Sequence, residues 1–326
     1  MAATYNVEMA ANDDALPFTG ERFVPGTKGE IWMEHWHRYH FAARWAAGRS
    51  VLDVACGEGY GSALLAKVAA HVTGVDVSAE AIEHARRTYG SAANLEFVRA
   101  SCTRLPFADA SAELAVSFET LEHIGGQREF LDELARVLRP DGVLVLSCPN
   151  KVEYSDQRDY ANEFHVRELY RDELAAVVGE RFPHMRWYGQ RSTFYSVIAP
   201  ESAQDERGQL VEVDEAHPGE AASSLSRPLY FLLVASREPS ALERLAPALS
   251  VLADRDDWVY RDYEKVHRGF VDSSQRVEAL QRELAQRDAQ LLARGLQLSE
   301  CNREVTKRHG WRWWLRLPLV RLGVLK

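Results

Sequence analysis

With 326 residues, 46% of them apolar, the chain is long enough for one α/β domain and an appendage and has the means to fill a core. A formal net charge of −9 and a pI near 5.7 exclude a protein that presents an overall basic face, so no nucleic-acid partner is expected. Four cysteines without paired metal-ligand spacing read as reduced thiols in a cytoplasmic protein, and no apolar run of about eighteen residues is present to cross a bilayer.

Residues 1–16 are polar, lack the basic start and apolar run of a secretory signal, and read as a flexible N-terminus. Thr19-Gly20-Glu21-Arg22-Phe23-Val24-Pro25 follows, then Ile31 to Phe41, a helical stretch crowded with aromatics and imidazoles. Helical spacing puts Trp32, Trp36 and Tyr39 near one face and Glu34, His37, Arg38 and Phe41 near another. Residues 17–48 are therefore expected to carry a lid helix over a ligand, with Arg38 and Tyr39 as contacts; the alternative is an amphipathic helix packed on a sheet.

Val51-Leu52-Asp53-Val54-Ala55-Cys56-Gly57-Glu58-Gly59-Tyr60-Gly61-Ser62 is an apolar strand ending in an acid, then glycines, then a helix. That order reads as a first strand whose turn cradles a nucleotide-like ligand. A dinucleotide fingerprint has glycines at the first, third and sixth positions. Here Gly57, Gly59 and Gly61 alternate, and Ser62 stands at the sixth position. Asp53 would oppose a pyrophosphate but suits a ligand carrying an ammonium and a sulfonium, which points to S-adenosylmethionine. Asp53, Ala55, Gly57 and Gly59 are the candidate contacts of this turn. Val72 to Ser78 is a second strand ending in an acid; Asp76, with Val77 beside it, is placed to accept hydrogen bonds from ribose hydroxyls.

Ser78 is expected to cap a helix that ends at Gly90. Leu95–Val98 reads as a third strand leading to Ser101 and Cys102, and Glu113–Phe118 as a fourth that delivers Phe118, Glu119, Glu122 and His123 to the mouth of the fold. Gln127–Leu138 has the apolar spacing of a helix packed on the sheet, and Val143–Cys148 is an apolar fifth strand. Tyr160–Leu169 is a polar connection at the carboxyl edge, in which His165 is a candidate base and Glu163 its candidate orienter. Met185–Ile198 and Leu229–Ala235 read as the last two strands, separated by an acidic, Gly- and Ser-rich excursion at 201–226 that is expected to be mobile.

Asp53 to Gly61, Asp76, Leu105-Pro106-Phe107, Leu121-Glu122-His123-Ile124 and Leu138-Arg139-Pro140-Asp141-Gly142 together resemble the class I S-adenosylmethionine-dependent methyltransferases. The resemblance implies an α/β fold: a Rossmann-like seven-stranded sheet with helices on both faces, over residues 17–240. It also implies that Phe118 and Glu119 line the cofactor, that His123 lies near the transferred methyl, and that Ser101 and Cys102 border the adenine. Ser101 stands where many relatives carry an aspartate. Gly-Glu-Arg-Phe-Val-Pro followed by Glu-His-Trp-His-Arg-Tyr is similar to methyltransferases found with bacterial surface-glycan genes, including the methyltransferase part of O-antigen chain terminators. From that follows the expectation of O-methylation of a glycan or lipid-linked saccharide, with His123 and His165 as candidate catalytic residues and no metal assigned. A quinone or other small-molecule methyltransferase, a nicotinamide oxidoreductase and a non-catalytic scaffold are the alternatives.

Residues 241–306 form a helical extension. Tyr263, Phe270, Val277, Leu284, Leu291, Leu298 and Val305 recur every seven positions, whereas the companion seam keeps Val266 and Leu280 but is broken by Ser273, Arg287 and Arg294. A long C-terminal helix that pairs as a coiled coil, giving a homo-oligomer, is expected; a single helix packed back on the domain is the alternative. Residues 307–326 contain no acid and interleave Arg308, Arg312 and Arg316 with tryptophan and leucine. Such a basic amphipathic tail suits the surface of an anionic membrane, at the inner face of the cytoplasmic membrane, or a glycan-assembly protein.

Overall fold

The computed structural model describes residues 30–193, 225, 227–243, 249–252 and 258–325, in two compact units that divide between residues 254 and 255. The Gly20–Pro25 motif, the excursion at 201–226 apart from its penultimate residue Leu225, and residues 194–198 of the expected sixth strand lie outside the described residues.

The first unit is built on seven strands: β1 Ser50–Val54, β2 His71–Asp76, β3 Leu95–Arg99, β4 Ala112–Phe118, β5 Leu138–Pro149, β6 His184–Gln190 and β7 Tyr230–Ser236. They lie in the order β3-β2-β1-β4-β5-β7-β6, with β1 to β5 parallel and β7 running antiparallel between β5 and β6. This is the seven-stranded methyltransferase-type sheet that the sequence implies. The chain order reverses direction between β1 and β4, and the carboxyl ends of those two strands open the crevice where α/β sheets bind ligands.

Helices cover both faces, which is why the central strands read as continuous apolar runs instead of alternating ones. On one face α1 (Glu30–Ala46), α2 (Tyr60–Ala66) and α3 (Ala79–Tyr89) bury Phe41, Trp45, Leu65, Ile82 and Phe97. On the other, α4 (Gln127–Val137) and α5 (Arg171–Gly179) bury Phe130, Leu131, Leu134, Leu174 and Phe182 against Leu52, Val54 and Leu144. A short helix, α6 (Ser240–Glu243), follows β7. The Ser78 hydroxyl caps α3 by accepting from the Ala81 amide at 3.2 Å, as its position predicts. Gly90 ends α3 without turning left-handed. The fifth strand begins at Leu138, five residues before the expected Val143; Leu138 pairs with Ala112 and a register shift follows before Leu114 meets Val143. That shift absorbs the Arg139–Gly142 corner into the strand.

In the second unit α7 (Trp258–His309) is a single helix of 52 residues, about 78 Å long at ~1.5 Å per residue. Gly295 does not interrupt it. Its heptad residues, from Tyr263 through Leu298 to Val305, are solvent-exposed, and the pairs Glu264–Arg268, Glu278–Arg282 and Glu283–Arg287 span i and i+4 along it. Gly310 separates it from α8 (Trp311–Arg321), which contains Pro318. Among the described residues no helix is long and apolar enough to cross a membrane.

Candidate functional site

The turn after β1 holds three residues in the left-handed region, Ala55 (φ 64°), Gly57 (φ 57°) and Gly59 (φ 92°). Glycine adopts this freely; an alanine there is strained, and such strain gathers where a chain must curl around a ligand. The alternating glycines have separate reasons. A Cβ on Gly59 would stand 2.7 Å from the Phe97 ring and 2.8 Å from Ala85, so this glycine lets α2 approach β3 and α3. A Cβ on Gly61 would fall inside the Tyr39 ring, at 1.9 Å, so that glycine seats α1 on α2. Gly57 alone of the three borders the cavity.

Asp76 ties this turn to the next: Oδ2 accepts from the Gly57 amide and Oδ1 from the Ser78 amide, each at 2.9 Å. Its carboxylate borders the cavity beside Val77, Ala100 and Cys102. Asp53 is placed differently. It is buried behind the cavity wall, accepts from the Ser62 hydroxyl at 2.6 Å and from the Tyr39 hydroxyl at 3.2 Å, and does not line the cavity. Burial raises its pKa to about 7, the bonds from Ser62 and Tyr39 acting in the opposite sense and the charge of Asp76 adding to the rise. Asp53 therefore reaches the site through Tyr39, which it positions.

The cavity itself, about 370 Å³, runs from Asp76 past Phe118 at the end of β4 to Tyr230 at the start of β7. Of the cofactor candidates, Tyr39, Ala55, Gly57, Asp76, Val77, Cys102, Phe118 and Glu119 line it. Asp53, Gly59, Arg38 and Ser101 do not; the Ser101 hydroxyl turns to that of Thr103 at 2.9 Å. α1 packs against the sheet and also borders the cavity. It lends Ile31, His35 and Tyr39 to the wall while burying Glu34, Arg38 and Trp45. Arg38 is a strut: its Nε donates to Gln190 at 2.7 Å, its guanidinium lies 4.3 Å over the Tyr230 ring, and one nitrogen is 3.7 Å from Glu119. Glu119, itself at positive φ (50°), accepts from the Ser147 hydroxyl at 2.6 Å.

At the other end of the cavity stands a 3-10 turn, Leu121–His123. The Glu122 carbonyl accepts from the amides of Val166 and Arg167, at 2.8 and 3.0 Å, and so clamps the 160–169 connection onto this turn. The clamp brings His123 and His165 together, with ring centroids 4.8 Å apart and edge to face. His123 donates its Nδ1 hydrogen to the Phe164 carbonyl at 3.0 Å. His165 donates its Nδ1 hydrogen to Glu168 at 2.6 Å, accepts at Nε2 from the Asn162 amide nitrogen at 3.0 Å, and stacks on Tyr154. The carboxylate beside His165 is thus Glu168, three residues on, instead of Glu163. Asn162 accepts the Phe164 amide in a local turn that leaves Glu163 exposed.

Sequence reasoning named Glu122 but gave it no role, and it missed Tyr154, Asn162, Glu168 and Tyr230. Glu122 is buried with both carboxylate oxygens lacking a hydrogen-bond partner, and burial, then the charge of Glu119, raises its pKa far above the carboxylate range. An Asx turn at Asn162 with an acid three residues after His165 is the local signal that could have found the His165–Glu168 pair.

The residues at the Asp76 end fit a nucleoside joined to an amino acid: a carboxylate for ribose hydroxyls, the walls of Val77, Ala100 and Cys102 for a base, and an open backbone curl at Ala55–Gly57. Residues 52–146 match the family described as "Methyltransferase domain". A probable S-adenosylmethionine-dependent methyltransferase of Mycolicibacterium smegmatis is 40% identical over 167 residues, 50% of this chain and 64% of that protein. One from Mycobacterium tuberculosis is 40% identical over 171 residues, 52% of this chain and 61% of its own length. The chain thus spans less than two thirds of these curated relatives. A solved structure from Pyrococcus horikoshii aligns with a TM-score of 0.47 at 17% identity, over 65% of this chain and 93% of its own.

Proposed function

We propose, from the premise that residues 52–146 are a class I S-adenosylmethionine-dependent methyltransferase domain, that the protein methylates a hydroxyl of a saccharide, either a surface glycan or its lipid-linked precursor. The observation that carries this reading is that Asp76 and the His123–His165 pair open on one cavity. S-adenosylmethionine, when bound, supplies a methyl already activated by its sulfonium, so the work left to the protein is alignment and handling of the acceptor's proton. Asp76 holds the ribose end, and the Ala55–Gly57 curl lets backbone approach the ligand. Tyr39 and Phe118, edge to face at 5.0 Å, form the apolar wall between the two ends of the cavity.

The acceptor end favours a polyhydroxylated molecule. Tyr154 and Tyr230 offer aromatic faces, while Asn162, His123 and His165 offer donors and acceptors around them. A quinone would call for apolar lining. His123 and His165 are the candidates to activate the acceptor hydroxyl, each held in a fixed orientation through its Nδ1 hydrogen; His165 would first exchange the hydrogen bond that its Nε2 accepts from Asn162. The heptad seam of α7 supports self-association, and the acid-free α8 with its arginines and tryptophans supports attachment to an anionic membrane surface, where a lipid-linked acceptor would also lie.

Calorimetric titration with S-adenosylhomocysteine, with NAD as control, tests the cofactor. Micromolar binding of the first alone is expected, and NAD binding in its place overturns the assignment. Radiolabelled methyl transfer to saccharides and to quinones then tests the acceptor: label in a quinone and none in any saccharide would refute the glycan reading.

A further inference from the structure

We propose that Glu122, His123 and His165 form a binding site for one divalent first-row transition-metal ion at the acceptor end of the cavity. One ligand atom from each of the three lies within 4.8 Å of the others, close enough for a single ion to draw them together. The donor set, two imidazole nitrogens and a carboxylate oxygen, suits manganese, iron, cobalt or zinc better than magnesium or calcium, which prefer oxygen throughout.

Three further features point to an ion. First, both imidazoles are oriented as metal-binding imidazoles are, with the Nδ1 hydrogen given to a carbonyl in one case and a carboxylate in the other. This fixes Nε2 as the coordinating atom of each. Second, the Glu122 carboxylate is buried, neither oxygen has a hydrogen-bond partner, and one of them lies 3.8 Å from His123 Nε2. A buried carboxylate left in this way is costly unless it takes up a proton or a cation compensates it. Third, Glu119, which Arg38 approaches to 3.7 Å, lines the same cavity as a second acid. The ion would displace the amide hydrogen that Asn162 gives to His165 Nε2.

Three protein ligands leave coordination positions open toward the cavity, as sites that bind a substrate oxygen do. An acceptor hydroxyl bound there would lose its proton more readily, through the ion's charge, with the proton passing to solvent. Vicinal hydroxyls of a sugar could occupy two open positions at once. This use of the site rests on the methyl-transfer reading; the binding of the ion does not.

The test is titration of the full-length protein with cobalt(II), followed by visible absorption and by metal content after desalting. One ion per chain with the bands of nitrogen- and oxygen-coordinated cobalt is expected. Glu122→Gln and His165→Gln should each lose it, and Glu168→Gln should weaken binding by ~10–100-fold, through the orientation of His165. His71→Gln, an exposed histidine beside Glu96 on β2, should leave uptake unchanged. Titrating every variant with S-adenosylhomocysteine in parallel reports folding and keeps the two readings apart. Cobalt uptake without S-adenosylhomocysteine binding would sustain the metal site and sink the cofactor assignment. A wild-type protein that binds S-adenosylhomocysteine but takes up no ion, or a folded His165→Gln variant that takes up as much as wild type, overturns the proposal.

Discussion

Two aspartates of similar sequence context, each ending an apolar strand, have different physical lives. Asp76 meets the cavity and uses its two oxygens to hold the Gly57 and Ser78 amides. Replacing it with alanine removes those bonds and the proposed ribose partner together, so Asp76→Ala should abolish S-adenosylhomocysteine binding in calorimetry while circular dichroism shows the domain still folded; near-normal affinity in a folded variant would refute the role. Asp53 is sealed beneath Tyr39, and its pKa near 7 means that the folded state holds a proton that the unfolded chain has released above its ordinary value of 3.8. Its contribution to stability is complete below pH ~4 and is lost as pH rises to about 7, over a span worth roughly 4 kcal/mol. His37, pushed down to about 4 by burial and by neighbouring His40 and Arg38, acts in the opposite sense over pH ~4 to 6.5. The sign belongs to the difference between wild type and Asp53→Asn: in denaturant titrations, wild type should lose ground to the variant as pH rises from 4 to 7. A difference that stays constant with pH would show that Asp53 is ionised throughout.

At the scale of elements, the seat of α1 on α2 includes one contact of unusual tightness, the Tyr39 ring over Gly61. Gly61→Ala should cost on the order of 1–3 kcal/mol by overpacking and, because Tyr39 also walls the cavity, weaken S-adenosylhomocysteine binding in the same variant. Unchanged affinity and melting temperature would mean that α1 can lift without consequence. Most of these elements were legible from sequence because their causes are local: apolar runs for the inner strands, Ser78 for the start of α3, spaced apolar residues for α4. The sequence reads the turn after β1 as a ligand cradle, and Ala55 and Gly57 border the cavity, but the division of labour among its glycines was not legible, since Gly59 and Gly61 answer to Phe97 and Tyr39, residues contributed by β3 and α1. The same holds at the acceptor end. Both histidines could be named from sequence, yet their meeting depends on the Glu122 carbonyl catching two amides of a distant connection. Glu163 was the nearer acid to His165 in the chain, and Glu168 is the one that backbone geometry turns inward.

For the whole molecule, the two units express separate demands. The first buries its apolar residues and keeps its polar groups for one cavity, whereas α7 leaves a row of apolar side chains in water along 52 residues. Such a row is costly as an isolated surface, and the proposed self-association would cover it with a second copy of itself. Leu284→Lys combined with Leu291→Lys in the full chain should therefore shift light scattering from oligomer to monomer and leave S-adenosylhomocysteine binding intact; an unchanged mass would assign the seam to another surface. In α8, Arg312→Glu with Arg316→Glu should reduce co-flotation with anionic vesicles, and flotation that persists would point to a protein partner for the tail.

The geometry of α7 also settles how the direction of such a pair can be read. Cys301 lies three residues after Leu298 and four before Val305, on the seam itself, and it is exposed and unpaired in a disulfide. In a parallel, in-register pair the two thiols face each other across the interface, and mild oxidation would lock the partners covalently. In an antiparallel pair each would sit far along the rod from its counterpart, and the same treatment would leave the chains separable on a denaturing gel.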